Sequence, residues 1–398
     1  MSSIGTQAFT IAAMFWVKHA TESATTMGMI MMASTIPMVL LSPFGGTFAD
    51  QFSRRNIIIV CDLISGLGVL VLAALMFLIP DSTALLLTIL VVVTILQGVV
   101  GAFFSPAIRA AIPSIVPADK LTAANSLHQS SVELSTLIGQ SIGGLCFRLL
   151  GAPVMFLLDG ITFLFSAFSE SWITIPQKLP EKRESASEAI ALFKSDMSSG
   201  FRYVWKRNGL RNLLLIAAIL NFFAIPFFVL LPFYVEDHLL ARVDWYGYLL
   251  AALGGGGLIG YGIAGTLGLE GRPRRISLVV SLLFQAVLLT MLGFVANQWL
   301  ALILMFTSGI FHGIVNINFL TLLQIATDDE FRGRVFGVMY LLVGGLSPLA
   351  MILAGVVADS LDHDVAMIFR WCGCALIITA IFSLLDRHFR EFLAFKPE

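Results

Sequence analysis

The chain has 398 residues, of which 58% are hydrophobic and only 12% are charged, and its mean hydropathy is +0.90. A soluble globular domain carries about 25% charged residues, so this composition excludes a soluble protein and indicates one that lies in a lipid bilayer. The net charge is −1, and no basic stripe occurs outside the loops, so we expect no nucleic-acid partner.

Apolar stretches long enough to cross a bilayer recur along the whole chain. A spanning helix needs about 20 mostly apolar residues. By this criterion the sequence predicts an all-α membrane protein with twelve transmembrane helices, at residues 2–19, 24–47, 56–79, 84–108, 122–148, 152–175, 210–235, 243–267, 276–296, 298–326, 333–358 and 365–386.

The basic residues are divided unevenly between the loops that join these spans. If both termini are cytoplasmic, 20 of the 24 Lys and Arg residues fall on the cytoplasmic side and 4 fall on the outer side. Short cytoplasmic loops carry an excess of Lys and Arg. We therefore predict that both termini are cytoplasmic.

The longest break between spans, residues 176–208, is polar and basic. Its second half has apolar residues at helical spacing, which predicts an amphipathic helix at the cytoplasmic membrane surface. This central loop divides the chain into an N-terminal six-helix bundle at residues 1–175 and a C-terminal six-helix bundle at residues 209–398.

The two predicted bundles carry matching cytoplasmic turns. A shift of 220 residues places a glycine, an acid and two arginines of one turn over those of the other; the pairs are Gly45 with Gly265, Asp50 with Glu270, Arg54 with Arg274 and Arg55 with Arg275. A shift of 210 residues places residues 115–121 over residues 325–331. Such repeats predict two related bundles that rock about a central cavity.

Three cytoplasmic turns carry a family resemblance. "GGTFADQFSRR" at residues 45–55 has a glycine, an aspartate and paired arginines between two spans. "FFSPAIRAAIPSIVPADKLTAANSL" at 103–127 and "LLQIATDDEFRGRVFG" at 322–337 form two later turns. With these motifs the chain resembles the major facilitator superfamily of transporters, in the branch of macrolide efflux proteins and the enterobactin exporter. The resemblance implies the major facilitator fold, a small-molecule substrate and a place in the bacterial inner membrane.

Two positions depart from the pattern of proton-coupled exporters in that superfamily. Thr94 stands where many of them have an arginine three residues before a Gln-Gly pair, and Gln140 stands where the fifth span usually has a proline. A proton mechanism that relies on that arginine is therefore not carried over to this chain.

The first cytoplasmic turn predicts a conformational latch. Asp50 follows the second span, and the eleventh span begins near Gly333 on the same side of the membrane, where free N–H groups give a partial positive charge. A contact made in only one rocking state would favour the cytoplasm-closed form. The residues assigned to the latch are Gly45, Asp50, Arg54, Arg55, Asp62, Gly333 and Arg334. The alternative is a positive turn that only sets the topology.

Ionisable residues inside predicted spans are candidates for contact with cargo or protons, because placing them in lipid is costly. Glu133 lies near the middle of the fifth span, and Gln129 lies one turn before it on the same face. We predict that this pair exchanges protons or contacts cargo. The alternative for Glu133 is a protonated carboxyl group that is hydrogen-bonded between helices.

Other polar residues inside spans give weaker candidates. His312 and Asn316 share one face of the tenth span, and Asn221 lies in the middle of the seventh; a packing role is the alternative for His312. Asp62 is expected to join the charged first turn, and Asp159 is expected to brace the packing of two neighbouring helices.

Motifs for a cofactor or a metal are not found in the sequence. "GGGLIG" at residues 255–260 matches a dinucleotide-binding pattern by its letters, but it lies in an apolar span with no strand before it. We interpret it as a site of close helix packing. No His, Cys or Asp cluster has metal spacing, so we expect no metal, no cofactor and no enzyme.

The sequence therefore predicts a monomeric secondary transporter that exports an amphipathic small molecule of the drug or siderophore class. Its 32 phenylalanines favour an apolar, aromatic cavity, and we expect alternating access with proton antiport. The alternatives are an importer, a lysophospholipid or lipid flippase on the same scaffold, and a non-transporting membrane sensor.

Overall fold

The computed structural model describes residues 2–117, 120–177, 186–385 and 392–393. Within these ranges the chain is helical and contains no strand, and ten helices are long and apolar enough to cross a membrane. The prediction of an all-α membrane protein is confirmed. The count of twelve spans and the cytoplasmic position of both termini stay predictions.

The chain divides into two compact units, Met1–Phe193 and Lys194–Glu398. Both boundaries of the predicted central loop stay predictions. The helices of the N-terminal unit are α1 (Ser2–Thr21), α2 (Ala24–Gln51), α3 (Arg54–Leu78), α4 (Thr83–Ile115) and α5 (Leu121–Glu170), and the helix that follows, α6 (Ala186–Lys206), runs into the C-terminal unit.

In the C-terminal unit several helices are interrupted. Its α-helices are α7 (Asn208–Val229), α8 (Leu231–Phe233), α9 (Asp244–Leu267), α10 (Gly271–Leu292), α11 (Gln298–Ile325), α12 (Arg332–Met339), α13 (Ser347–Ser360) and α14 (Val365–Leu385). Two π-helices, Tyr234–His238 and Tyr340–Gly344, and one 3₁₀ turn, Asp329–Phe331, lie between them.

Local sequence explains where several of these helices start and break. The Ser23 hydroxyl accepts a hydrogen bond from the Thr26 N–H at 3.1 Å and caps the start of α2. Within α5, Gly151 has φ +74° and is followed by Pro153, so the helix breaks there into two parts, which fall in the fifth and sixth predicted spans. Pro226 and Pro232 flank the end of α7, where a break was predicted.

Glycines bring pairs of helices into close contact in each unit. A Cβ atom added at Gly98 of α4 would lie 2.1 Å from the carbonyl oxygen of Ser34 in α2. A Cβ atom added at Gly309 of α11 would lie 2.1 Å from the carbonyl oxygen of Leu253 in α9. On α9 itself, a Cβ atom added at Gly256 would lie 2.0 Å from the carbonyl oxygen of Phe306 in α11, so the glycine-rich face of α9 is a packing surface, as the sequence indicated. In each bundle, therefore, a glycine of the fourth predicted span packs against the backbone of the second predicted span.

Candidate functional site

The turn between α2 and α3 is organised by Arg54. Its Nη2 lies 3.2 Å from Asp50 Oδ1, and its Nη1 donates hydrogen bonds to the Ala110 carbonyl at 2.7 Å and to the Ser114 hydroxyl at 2.9 Å. The side chain of Arg54 is mostly buried, whereas that of Asp50 is 72% exposed. The guanidinium therefore ties the end of α4 to the turn and presents the Asp50 carboxylate at the surface.

Gln177 closes the same turn from a distant part of the chain. Its amide nitrogen donates to the carbonyls of Ala49 at 3.2 Å and Phe52 at 3.1 Å, and its amide oxygen accepts from the backbone N–H of Arg54 at 2.9 Å. The sequence did not indicate this residue, because it follows the turn by more than 120 positions and stands in a polar segment.

Two predicted latch residues have other neighbours. Arg55 donates a hydrogen bond to the carbonyl of Ser171, which follows the last residue of α5, so it does not orient Asp50. Gly45 approaches α4 closely, since an added Cβ would lie 2.0 Å from the Ala102 carbonyl oxygen.

Asp62 lies in a buried position rather than in the charged turn. The residue is 1% exposed, and its neighbours are Ser166 and the acids Asp159 and Glu170 on α5. The expectation that Asp62 joins Asp50 and Arg54 is therefore corrected. Because a helix turns every 3.6 residues, an acid eight positions after Arg54 can face a different helix.

In the C-terminal unit, Arg334 and Gly333 lie at the start of α12. Arg334 Nε donates to Asp196 Oδ1 of α6 at 2.9 Å, and its guanidinium carbon lies 5.3 Å from the centre of the Phe331 ring. A Cβ atom added at Gly333 would contact nothing within 4 Å. The amphipathic helix α6 therefore holds Arg334, while the backbone at Gly333 remains open.

A second set of contacts joins α6 to the turn after α11. The Tyr203 ring stacks on Phe331 with 4.4 Å between ring centres, and the Tyr203 hydroxyl accepts hydrogen bonds from Arg207 and from the backbone N–H of Asp328. Arg207 Nη2 also lies 2.8 Å from Asp328 Oδ2. Burial raises the pKa of the Tyr203 phenol, so it acts as a neutral acceptor in this clamp.

The predicted pair on α5 is formed, in an exposed position. Gln129 Nε2 donates to Glu133 Oε1 at 3.0 Å. Both side chains are exposed within the structure, as are the residues between them. The acid therefore has a hydrogen-bond partner one turn away on its own helix, and its proposed role stays a prediction.

A cavity of about 370 Å³ lies inside the C-terminal unit, mainly between α7, α10, α11 and α14. Its wall is chiefly aliphatic and aromatic, with rings from Phe227, Phe228, Phe319 and Phe369. Small-molecule sites are commonly apolar cavities of about 300–1,000 Å³ with a few polar groups. This cavity matches that description.

Among the described residues, five polar side chains line this cavity: Asn221, Gln285, Ser308, His312 and Asn316. Three of them, Asn221, His312 and Asn316, are the residues of this half that the sequence selected for contact with cargo or protons. Gln285 Nε2 lies 3.1 Å from His312 Nδ1. With the amide donating, Nδ1 accepts, and the neutral imidazole then carries its proton on Nε2. Sequence reasoning missed Gln285, which lies on a different helix from His312.

The remaining polar residues of the cavity differ in their partners. Asn221 Nδ2 donates to the Val343 carbonyl at 3.0 Å and to the Ser347 hydroxyl at 3.1 Å, so it braces the π-helix that interrupts the eleventh predicted span. Ser308 is 1% exposed, and its hydroxyl has no partner among the described residues. This part of the cavity offers hydrogen bonds to a molecule that enters it.

Metal chemistry has no support in the described part of the chain, where no group of three or more His, Cys, Asp and Glu residues could hold an ion.

Comparisons with known proteins agree with this architecture. The chain is 28% identical over 400 residues to the multidrug efflux pump Tap of Mycolicibacterium fortuitum, with 98% of this chain and 94% of the relative covered. It is 23% identical to macrolide efflux protein A of Streptococcus pyogenes, over 96% of this chain and 92% of that protein.

A solved structure shows the same fold. A bacterial homologue of the human lysosomal transporter Spinster, in an inward-facing and unoccupied conformation, matches with a TM-score of 0.69 and 15% identity, over 99% of this chain and 94% of that one. The sequence profile of the Major Facilitator Superfamily matches residues 1–351. With helical units, matching turns and an apolar cavity in place, this chain belongs to the Major Facilitator Superfamily of transporters.

Proposed function

We propose that this transporter exports amphipathic drug-like molecules across the bacterial cytoplasmic membrane in exchange for protons, and that it works as a monomer. The observation that carries the proposal is the cavity of the C-terminal unit, where apolar walls surround a small set of amide, hydroxyl and imidazole groups. Such a site suits a cargo with a large apolar surface and a few polar groups.

The side chains that line the cavity favour recognition of a cargo by its shape and by ring stacking rather than by its charge. Among the described residues its lining contains no Asp, Glu, Lys or Arg, so a cargo gains little from a fixed ion pair. Aromatic rings offer stacking, and Ser308, His312 and Asn316 offer hydrogen bonds. Sites of this composition accept several related molecules, because apolar contacts depend weakly on the details of the cargo.

The relatives support export over import. One is named a multidrug efflux pump and another a macrolide efflux protein, and each aligns with more than nine-tenths of this chain. The chain has no nucleotide-binding motif, so uphill export would draw on an ion gradient. Glu133 with Gln129 stays proposed as a contact for cargo or protons, and Asp50 stays proposed as the latch acid.

Accumulation of radiolabelled erythromycin in bacterial cells tests the direction of transport. Cells that lack their own major efflux pumps and express this protein should hold less label than cells with an empty plasmid, and a protonophore should abolish the difference. A matched variant, Asn316→Leu, should restore much of the accumulation while its membrane level stays at that of wild type. Higher accumulation in expressing cells would indicate import and would contradict the proposal.

A further inference from the structure

We propose that Asp159, inside the N-terminal unit, is the group that takes up and releases the coupling proton. This inference rests on the proton antiport proposed above and assigns it to one side chain. It places the coupling proton on a carboxyl group that was expected to brace the packing of two neighbouring helices, and it leaves the exposed Glu133 as a proposed contact for cargo.

Asp159 is deeply buried, and its carboxyl group has no hydrogen-bond partner in the part of the chain that the structure describes. The residue is 1% exposed, and neither Oδ1 nor Oδ2 has a partner among the described residues. It precedes Glu170, the last residue of α5, by eleven positions, which is about 16 Å along the helix. In a hydrocarbon core about 30 Å thick, that depth is near the middle.

The packing around Asp159 leaves room for the carboxyl group and little else. A Cβ atom added at Gly5 of α1 would lie 2.4 Å from Asp159 Oδ1 and 2.7 Å from Thr162 Oγ1. The Thr162 hydroxyl donates to the backbone carbonyl of Asp159 at 2.8 Å, so it is not available to the carboxylate. On the other side, Leu70 of α3 packs against Gly160.

The charged groups nearest to Asp159 do not neutralise it. The facing group from α3 is another acid, Asp62, which is also 1% exposed and in turn lies near Glu170. From α1, Lys18 follows Gly5 by thirteen residues, about 20 Å along the helix. No basic side chain of the described residues pairs with Asp159.

An isolated carboxylate at such a site is unstable, and the neutral acid is the form that tolerates burial. A proton bound there forms an O–H bond at one carboxyl oxygen, and that bond breaks when water reaches the group in the other state of the transport cycle. No electrons are transferred in this step. Because Asp159 touches α1 at Gly5, its ionisation changes how closely α1 can pack.

Polar side chains mark a route for the proton along the interface of α3 and α5. Ser166 lies beside Asp62, and its hydroxyl donates to Glu170 Oε1 at 3.2 Å. Glu170 is at the end of the helix predicted to be cytoplasmic. The acids are spread along the interface, and the described residues contain no three-ligand group for a metal ion, which favours a proton over a metal cation.

Transport by purified protein in liposomes tests the assignment, with radiolabelled erythromycin as the probe. Asp159→Asn should abolish accumulation driven by a pH gradient but keep exchange of labelled for unlabelled erythromycin at the wild-type rate. The matched control is Asp81→Asn, at an exposed acid in the loop between α3 and α4, which should keep both activities. Accumulation by Asp159→Asn equal to wild type would overturn the assignment.

The same assay separates this inference from the proposed function. If wild-type protein exchanges the probe but never responds to a pH gradient, proton antiport itself fails. If wild-type accumulation follows a sodium gradient instead, Asp159 is not a proton site. Both proposals are supported if the pH gradient drives accumulation in the wild-type and Asp81→Asn proteins but not in Asp159→Asn.

A second measurement uses the wild-type protein and does not depend on how a variant folds. Dicyclohexylcarbodiimide reacts with protonated carboxyl groups in apolar surroundings. Peptide mass spectrometry should find its adduct at Asp159, with a yield that falls as the pH rises. An adduct at Glu133 with none at Asp159 would contradict the inference.

Discussion

Arg54 Nη2 lies 3.2 Å from Asp50 Oδ1, across the turn that joins α2 to α3. The same guanidinium bonds to the end of α4, and Gln177 bonds to the backbone on both sides of the turn. Asp50 is therefore held at a fixed place while most of its side chain stays exposed. A fixed, exposed carboxylate is what a contact made in only one conformational state requires.

Replacing Asp50 tests the latch directly. Asp50→Asn should raise the inward-open population, because an amide interacts less favourably than a carboxylate with a helix N-terminus, by about 0.3–1 kcal/mol at an exposed site. The measurement is the rate at which a maleimide labels a reporter cysteine placed at Ser130, in a protein whose own four cysteines are replaced. The labelling rate should rise.

Asp81→Asn is the control for this experiment, since it removes the same charge from an exposed loop. Its labelling rate should equal that of the parent protein. If Asp50→Asn also leaves the rate unchanged, the turn only sets topology and the latch is wrong.

Arg54 should matter for stability as well as for position. Arg54→Ala removes several charge-assisted hydrogen bonds at a mostly buried site and should destabilise the N-terminal unit by about 2 kcal/mol. Arg54→Lys should recover only part of this loss, because an ammonium group cannot reach both Asp50 and Ser114 as a planar fork does. Apparent melting temperatures in detergent test both variants. If Arg54→Lys is as stable as wild type, a positive charge alone is sufficient to hold the turn, and the planar fork is not needed.

Close packing of α9 and α11 gives a test with an internal control. Gly309→Ala places a methyl group on the backbone of Leu253 and should cost about 1–3 kcal/mol. Gly255→Ala, on α9, meets nothing within 4 Å and should be neutral or stabilise the helix by up to about 1 kcal/mol. Thermal unfolding in detergent compares the two. Equal stability of both variants would contradict the close approach seen in the structure.

The cavity predicts a specific effect on cargo affinity. Asn316→Leu keeps the branched shape of the side chain but removes an amide that lines the cavity, so the KM for erythromycin should rise about threefold to tenfold, as for the loss of one hydrogen bond. Thr307→Val, nine residues earlier on α11 and outside the cavity, should keep the wild-type KM. Counterflow in liposomes provides the measurement. A normal KM for Asn316→Leu would exclude the amide from the cargo site.

Much of this fold follows from hydropathy and charge. Periodicity and composition predict the spans, the amphipathic helix α6 and the glycine packing of α9, because each of these depends on a local sequence pattern. The interruption of the eleventh predicted span at Tyr340–Gly344 was not predicted. Asn221, more than 100 residues away, donates a hydrogen bond to a carbonyl of that π-helix, and hydropathy does not predict such a contact.

The functional residues were predicted less completely, for a physical reason. Asn221, His312 and Asn316 line one cavity, as their positions inside spans suggested. Three other features depend on which parts of the chain become neighbours. They are the contact of Gln285 with His312, the hydrogen bonds of Gln177 to the first turn, and the lack of a partner for Asp159 among the described residues. Hydropathy predicts that a segment crosses the membrane and leaves open which face of it meets another helix.

Transport in liposomes with and without a pH gradient tests the central claim most directly. Liposomes that contain the protein in one orientation should accumulate radiolabelled erythromycin against its concentration gradient when a pH difference is imposed. Protons should cross the membrane in the direction opposite to that of erythromycin. The accumulation should disappear when the gradient is collapsed. Uptake that ignores the pH gradient, or no flux at all, would contradict proton-coupled export.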